Sequence, residues 1–434
     1  MTSRELCARC LVKMDLREGY SNLVLDAALK ESKLDSRDKA FASLLFYGVL
    51  ERRITLDACI APLCSTKLKK LAPAVRAVLE IAVYELLYTQ TPAAAAVSQA
   101  VDAVRTLGQP KAAGLVNGVL RAFLRTECKI PVPNSPQSAR LSVENSVAEP
   151  LARLLVKGYG TAAAEKFLRS SCGAAPVFLR VNPTRTTPEK LILQLAEEGV
   201  CAQTTNIPGC LVLAEGTGGD LRRLRAFEQG LFHVQDAASQ LCVLTLDPRA
   251  DMNVLDVCAA PGGKTFTAAG LMQNSGRILA LDLHPQRAEL IAKGAQRLGF
   301  DCVQAAANDA TCFRPELGRF DRILCDVPCS GIGVLRRKPE IRYKDPADFA
   351  DLPAIQHKIL EESAKYAAEG CRMVYSTCTL NPAENQQVAE AFLASHPDWQ
   401  PGRLPDLLGQ GWQTTLMDTE WNCDGFFISV LEKK

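Results

Sequence analysis

The sequence predicts an α/β protein in which a doubly wound, mostly parallel sheet follows an all-helical domain and a small α+β region. Apolar residues recur at helical spacing near the start, a proline-rich stretch interrupts them, and short apolar strands alternate with helical segments from Asn253 onward. Such alternation is typical of parallel sheets. The predicted parts are a helical domain at 1–126, a linker at 127–144, an α+β region at 145–235 and the sheet domain at 236–434.

Composition indicates a globular protein of the cytoplasm. The 434 residues are 47% hydrophobic and 23% charged, and we find no apolar run long enough to cross a bilayer and no signal peptide at the start. Seventeen cysteines, an odd number spread over the chain, indicate a reducing compartment. Residues 1–130 carry 19 Lys and Arg against 13 Asp and Glu, a basic balance that suits a polyanionic partner.

One pair of cysteines has the spacing of metal ligands. Cys7 and Cys10 form a CxxC, but the next cysteines, Cys59 and Cys64, lie far away with no nearby histidine. On a helix, such a pair more often packs in a core. We therefore predict no metal.

The spacing of apolar residues predicts the secondary structure of the helical domain and of the region after it. Apolar residues at helical spacing predict helices over Pro73–Thr89 and Leu115–Leu124, and the prolines of KIPVPNSPQS end the pattern. In the α+β region, VFLRVNPTRTT (177–187) predicts a strand running into a turn. Arg180 and Arg185 there are available for phosphates.

A glycine-bearing turn opens the sheet domain. VLDVCAAPGGKT (254–265) reads as an apolar strand, a turn and a helix that begins near Lys264. Gly262 and Gly263 let the backbone approach a ligand, and the start of the helix suits a carboxylate. The spacing matches neither a phosphate loop nor a dinucleotide fingerprint. Such a turn is also compatible with a purely structural role.

Two acidic residues follow the next strands. Asp282 ends the strand at 278–282, placed to accept from ribose hydroxyls, and Asp309 follows a third strand, where it could accept from an adenine amino group. Each acid alone is compatible with a surface or capping role. Together with the glycine turn, they predict a nucleoside carrying an amino acid, S-adenosylmethionine.

Two cysteines stand just past the ends of later strands. The strand at 322–326 is followed by Asp326-Val327-Pro328-Cys329, and the strand at 372–377 by Cys378. Methylation of cytosine carbon 5 needs a temporary bond at carbon 6, for which a thiolate is suited, and an acid at ring N3 eases the addition. Asp326 is the candidate for N3. Residue chemistry alone leaves open which cysteine attacks.

A basic loop separates these two strands. GVLRRKPEIRYKD (333–345) is predicted to hold an RNA backbone, with a solvated loop as the alternative for any single residue. The candidate contacts are Arg336, Arg337, Lys338 and Arg342.

The sequence resembles the NOL1/NOP2/Sun family of RNA 5-methylcytosine methyltransferases, preceded by a NusB-type RNA-binding domain. The resemblance covers nearly the whole chain, and its motifs occur in the order of the family. They are CAAPGGKT (258–265), DVPCSGIG (326–333), YSTCTLNPAEN (375–385), LRVNPTR (179–185), VQDAASQL (234–241) and DGFFISVL (424–431), with RDKAFASLLFYGVLERRITLD (37–57), VYELLYTQTP (83–92) and LVNGVLRAFLR (115–125) carrying the NusB likeness.

The resemblance implies a Rossmann-like class I methyltransferase fold, S-adenosylmethionine as the cofactor and 16S ribosomal RNA as the partner. We further expect a monomer. The resemblance also implies that Cys378 is the nucleophile and that Cys329 acts in product release. Lys338 and Tyr343 depart from the family's usual histidine and tryptophan, which leaves the target cytosine undefined. The implied cofactor-site residues are Cys258, Ala259, Ala260, Pro261, Gly262, Gly263, Lys264, Asp282, Asp309 and Asp326.

Two other functions remain open at this point. One is a non-enzymatic RNA-binding or antitermination factor whose methyltransferase domain is inactive, which failure to bind S-adenosylmethionine would support. The other keeps the enzyme but makes transfer RNA or another ribosomal site its substrate.

Overall fold

The computed structural model describes residues 1–16, 21–217, 219–417 and 420–434. The chain forms two compact units, which we call the helical unit (Met1–Gly173 with Leu335–Asp348) and the sheet unit (Ala174–Val334 with Phe349–Lys434). The predicted fold class is confirmed: helices form the first unit and a mostly parallel sheet the second. Within the described residues, no helix has the length and apolar character that crossing a bilayer requires.

The helices within residues 3–125 of the helical unit pack around one apolar core. Pro73, whose fixed φ suits a first helical turn, begins the helix predicted at Pro73–Thr89, and the helix predicted at Leu115–Leu124 also forms. Cys7 and Cys10 are buried in this core. The helices are α1 (Ser3–Leu16), α2 (Ser21–Glu31), α3 (Ser36–Ile60), α4 (Pro73–Tyr88), α5 (Ala93–Thr106), α6 (Ala113–Arg125), α7 (Gln137–Asn145), α8 (Glu149–Tyr159) and α9 (Thr161–Ser170).

The predicted linker is shorter in the structure. Helix α7 occupies the end of 127–144, and α8 and α9, expected in the α+β region, belong to the helical unit. The sequence prediction took Pro136 as a break, but this proline lies at the N-cap of α7 and leaves the helix after it intact. Leu141 then packs the helix against its neighbours with no exposed surface.

The basic loop contributes a buried arginine to the helical unit. Arg342 is fully buried, and its guanidinium donates to the carbonyl oxygen of Asn145 at 3.0 Å and to the carbonyl and hydroxyl oxygens of Ser171. These residues end α7 and follow α9, so the cation satisfies carbonyls at two helix C-termini. The expectation that Arg342 contacts RNA is therefore corrected, because its side chain is inaccessible.

Replacing Arg342 with alanine is expected to lower the free energy of unfolding of the helical unit by about 2–4 kcal/mol, because it leaves buried carbonyls without donors and opens a cavity. Urea denaturation followed by circular dichroism measures this. Lys338→Ala, an exposed change in the same segment, is the control and should shift stability by less than about 0.5 kcal/mol. Equal effects of the two variants would contradict a structural role for Arg342.

The sheet unit contains a small antiparallel sheet of order β2-β3-β1-β4. The strand predicted within 177–187 is confirmed as β1, although it is only four residues long. The elements of this region are β1 (Phe178–Val181), α10 (Pro188–Glu197), β2 (Ala202–Thr204), β3 (Cys210–Leu213), α11 (Arg225–Glu228) and β4 (Phe232–Val234).

The two arginines predicted here as phosphate contacts differ: Arg180 is inaccessible, whereas Arg185 is exposed and stays a prediction. Arg180 is buried and donates to the carbonyl oxygen of Pro208 at 2.6 Å, so the expectation that it contacts RNA is corrected. Arg185 lies at the surface, but its guanidinium donates to the carbonyl oxygens of Gln229 and Arg297. Both arginines hold backbone in place.

The large sheet carries the predicted strands at 254–258, 278–282, 322–326 and 372–377, which form β5, β6, β8 and β9. Its order is β10-β12-β9-β8-β5-β6-β7, with β11 paired to β12, and β5 to β9 are mutually parallel. The strand order reverses at β5, and in sheets of this kind ligands bind beyond the carboxyl ends of the strands at such a point. The elements are α12 (Ala237–Leu246), β5 (Asn253–Asp256), α13 (Gly263–Leu271), β6 (Arg277–Asp282), α14 (Pro285–Leu298), β7 (Val303–Ala307), β8 (Phe320–Asp326), α15 (Leu352–Ala364), β9 (Ala367–Thr377), α16 (Gln386–Ser395), β10 (Trp399–Pro401), β11 (Gln413–Leu416) and β12 (Phe426–Lys433).

Candidate active site

The glycine turn joins β5 to α13. Gly262 has φ +107°, a left-handed conformation that glycine adopts without strain, and a Cβ there would collide with the ring of Phe266. Helix α13 begins at Gly263, and no side chain caps its N-terminus. Its first backbone N–H groups therefore lie at the carboxyl end of β5 without a side-chain acceptor. The turn therefore has the form that a carboxylate or phosphate group requires.

The buried Asp256 lies directly before this turn. Thr265 donates to its Oδ2 atom at 2.7 Å, whereas Oδ1 has no hydrogen-bond partner among the described residues. Burial raises the pKa of Asp256 to about 7. Burial likewise raises the pKa of the neighbouring Cys258 thiol. An unpartnered carboxylate oxygen beside the turn is suited to a cationic group, such as an ammonium.

The two predicted acids stand at the ends of the next strands. Asp282 ends β6, is 3% exposed, and accepts from the backbone N–H of Ala260 at 3.2 Å and from Arg287. Asp309 lies two residues past β7 and is exposed; bonds from Thr311 lower the pKa of its carboxyl group. Because β5, β6 and β7 are parallel neighbours, the glycine turn and both acids share one edge of the sheet.

Lys264 bonds to Asp326 at this edge. The Lys264 ammonium lies 2.6 Å from Asp326 Oδ2, and the Ser376 hydroxyl donates to Oδ1 at 3.0 Å. Burial alone would lower the pKa of Lys264, but the negative groups around it, Asp326 foremost, together raise it above its usual value. The pair thus presents an ammonium donor next to a carboxylate acceptor.

The two predicted cysteines meet. The Sγ atoms of Cys329 and Cys378 lie 3.3 Å apart, although the residues are far apart in the chain. The hydrogen bond with Cys378, burial and the negative charges of Glu384 and Asp326 raise the pKa of the Cys329 thiol well above its usual value. One sulfur can thus donate a hydrogen bond to the other, and these surroundings disfavour the thiolate form of Cys329.

The loops that carry the two cysteines are bonded to each other. The backbone N–H of Gly333 donates to the carbonyl oxygen of Cys378 at 3.0 Å, and Gly425 donates to the carbonyl oxygen of Gly333. A Cβ at Gly333 would collide with the carbonyl of Gly425, so glycine is required by this close approach. Glu384 adds further hydrogen bonds between the loops, because it accepts from both Ser330 and Asn381.

The sequence predicts the two cysteines and the acids. It does not indicate the Lys264–Asp326 pair, the unpartnered Asp256 oxygen or the hydrogen bonds of Glu384. A faint signal for Glu384 is its position shortly after Cys378 in NPAEN. Arg337 and Lys338 are exposed and Arg336 is half-buried, all in the helical unit; they stay predictions as RNA contacts.

Three family comparisons cover most of the chain. Residues 243–432 match the family described as 16S rRNA methyltransferase RsmB/F. Residues 1–125 match the NusB family, and residues 150–218 match a ferredoxin-like domain of RsmF/B-like methyltransferases. These matches follow the order of the helices, the small sheet and the large sheet.

Full-length similarity extends to named proteins and to a solved structure. A Bacillus subtilis (strain 168) protein named "Probable ribosomal RNA small subunit methyltransferase B" is 36% identical over 99% of this chain and 98% of its own. A Synechocystis sp. protein of the same name is 34% identical over the full length of both. The crystal structure of PH0851 shares the fold, with a TM-score of 0.81 and 24% identity over 100% of this chain and 99% of that one.

Proposed function

The chain belongs to the family of RsmB/F 16S rRNA methyltransferases, whose cofactor is S-adenosylmethionine, and from this we propose that it methylates carbon 5 of a cytosine through a covalent cysteine adduct. The observation that carries the proposal is the contact between Cys329 and Cys378, two thiols 3.3 Å apart at the carboxyl edge of the sheet. Methylation of an amine or a hydroxyl needs no thiol nucleophile, whereas carbon 5 does.

The residues at the sheet edge fit S-adenosylmethionine. The uncapped start of α13 suits its carboxylate, the unpartnered oxygen of Asp256 its ammonium, and Asp282 and Asp309 the ribose hydroxyls and the adenine amino group. Bound there, the cofactor supplies the methyl group. The chain's own residues then have to hold the base, provide the nucleophile and release the product.

The Lys264–Asp326 pair matches one edge of cytosine. Ring N3 of cytosine accepts a hydrogen bond and the exocyclic amino group donates one. We assign Asp326 to the N3 edge, where its carboxylate accepts from the amino group while the Lys264 ammonium, 2.6 Å from it, donates toward N3. A cation at N3 withdraws electrons from the ring and makes carbon 6 easier to attack.

The two sulfurs divide the covalent steps. Cys378, as the thiolate, adds to carbon 6, which raises the electron density at carbon 5 so that carbon 5 takes up the methyl group. Transfer of the carbon 5 proton to a solvent water then re-forms the double bond between carbons 5 and 6 and expels Cys378 as the thiolate. The protonated Cys329 thiol donates to the departing sulfur and stabilises it, which assigns Cys329 to product release.

The helical unit, which matches the NusB family, is proposed to bind the RNA, with Arg336, Arg337 and Lys338 as candidate phosphate contacts. Lys338→Ala should remove one phosphate contact and so raise the KM for RNA about twofold to tenfold. Because phosphate contacts weaken with salt, the KM of this variant should also depend less on salt concentration. The same kcat at saturating RNA is expected. A change in kcat with an unaltered KM would contradict an RNA contact.

The proposed function is tested with deproteinised small-subunit ribosomal RNA that lacks the modification and with methyl-labelled S-adenosylmethionine. Digestion of the RNA is expected to give label in 5-methylcytidine. Label in another nucleoside would overturn the carbon 5 assignment. Label only with transfer RNA would change the substrate, and absence of binding to S-adenosylmethionine would favour an RNA-binding factor.

A further inference from the structure

Glu384 is a fully buried carboxylate, and within the described part of the chain its side-chain oxygens accept hydrogen bonds from neutral groups. Its Oε2 atom accepts from the backbone N–H of Ser330 at 2.9 Å and from Gln356 Nε2 at 3.0 Å. Its Oε1 atom accepts from the Ser330 hydroxyl at 2.5 Å and from Asn381 Nδ2 at 3.0 Å. Burying a carboxylate is costly unless each oxygen is satisfied, and here four donors satisfy it.

These donors come from both cysteine loops. Ser330 directly follows Cys329, and Asn381 lies three residues after Cys378. One carboxylate therefore bonds to the loop after β8 and to the loop after β9 at the point where each presents its sulfur. The contact between the sulfurs depends on how these loops are held, because thiol hydrogen bonds are weak and direct neither chain segment.

Gln356 holds the same loop from the other side. Its Nε2 atom donates to the carbonyl oxygen of Pro328 at 3.0 Å as well as to Glu384. Cys329 is thus flanked by two anchored residues, Pro328 before it and Ser330 after it. The backbone of Cys329 is fixed on both sides by a cluster centred on Glu384.

We propose that Glu384 is a positioning residue that acts through Ser330 to hold the Cys329 thiol against the Cys378 sulfur during product release. This role rests on the proposed function, since it concerns the step after methyl transfer. Glu384 touches neither the base nor the cofactor in this assignment, and its effect on the reaction passes through the loop that carries Cys329.

The charge of Glu384 supports the same role. After the hydrogen bond with Cys378 and burial, the charge of Glu384 is among the causes that raise the pKa of Cys329. A negative charge near this thiol keeps it protonated, as a donor to a departing thiolate must be. A neutral residue of equal size would satisfy fewer donors and would remove this effect.

Glu384→Gln tests the proposal because it keeps the volume but turns one oxygen into an amide nitrogen that faces donors. Loss of two of the four bonds is expected to slow product release about tenfold to a hundredfold. The labelled RNA–protein adduct, measured on denaturing gels, should accumulate, while its rate of formation in a single turnover stays within about threefold of the native rate.

The matched control is Glu362→Gln. Glu362 is also a buried carboxylate of the sheet unit, but it bonds to Lys358 and Lys365 and to neither cysteine loop. Native turnover without adduct accumulation is expected. Ser330→Ala removes only the hydroxyl donor and should also increase the amount of adduct. This variant tests the proposal if Glu384→Gln does not fold.

Combining Glu384→Gln with Cys329→Ala separates positioning from general loss of structure. If Glu384 acts through Cys329, the double variant should release product no more slowly than Cys329→Ala alone. Multiplied defects, or loss of adduct formation in Glu384→Gln and Ser330→Ala, would overturn the positioning role. Absence of 5-methylcytidine with the native protein, together with absence of adduct in Cys329→Ala, would instead overturn the proposed function.

Discussion

Cys378→Ala is expected to abolish 5-methylcytidine formation, with a loss of rate on the order of ten-thousandfold or more, because removing a covalent nucleophile leaves only binding and positioning. Cys329 is not expected to substitute, because burial and the nearby negative charges raise the pKa of its thiol. The measurement is the label recovered in 5-methylcytidine after digestion of small-subunit ribosomal RNA. No RNA–protein adduct should form with this variant under any condition.

The control for Cys378→Ala is Cys312→Ala, which removes an exposed cysteine of the same unit. It should retain native activity. Binding of S-adenosylmethionine by Cys378→Ala, measured by equilibrium dialysis, should match the native protein, because the glycine turn and the acids lie on neighbouring strands. Measurable 5-methylcytidine from Cys378→Ala would show that this sulfur is not the nucleophile.

The parts of this site that the sequence predicted are those that follow from local pattern. An apolar run followed by a glycine turn, an acid or a cysteine identifies a strand and its end without any long-range information. Parallel strands bring those ends to one edge of the sheet. The sequence therefore predicts that Asp282, Asp309, Cys329 and Cys378 lie at that edge.

What the sequence left out depends on contacts between distant residues. Glu384 and Ser330 are 54 positions apart, and nothing in either residue type indicates the other. Arg342 and Arg180 are predicted as RNA contacts at the surface, where arginine usually lies. Both are buried, and their guanidinium groups donate to carbonyl oxygens that only the folded chain brings near them. Whether an arginine is buried therefore depends on whether the fold places hydrogen-bond acceptors around its guanidinium group.

The distance between the sulfurs constrains how the two cysteines work. At 3.3 Å, one thiol bonds directly to the other, so only one of them is available as a thiolate at a time. The causes that raise the pKa of Cys329 include two carboxylates, Glu384 and Asp326, whereas the Lys264 ammonium lies at the same edge bonded to Asp326. These charges support the proposal that Cys378 attacks and that Cys329 donates the proton.

Cys329→Ala is accordingly expected to leave the attack intact and to block release. Without a donor to the departing sulfur, the bond between Cys378 and carbon 6 should persist, and most of the protein should migrate with RNA on denaturing gels after one turnover. Multiple-turnover activity should fall by about a hundredfold or more, the usual loss when a general acid is removed.

The amount of RNA–protein adduct is compared in the two single variants and in the double variant that combines Cys329→Ala with Cys378→Ala. This comparison decides which cysteine attacks and which donates the proton. The adduct expected in Cys329→Ala should disappear in the double variant, because the sulfur that forms it is gone. Adduct in Cys378→Ala and none in Cys329→Ala would exchange the two assignments. That exchange would also require Cys329 to ionise beside Glu384 and Asp326, against the charges that the folded chain places around it.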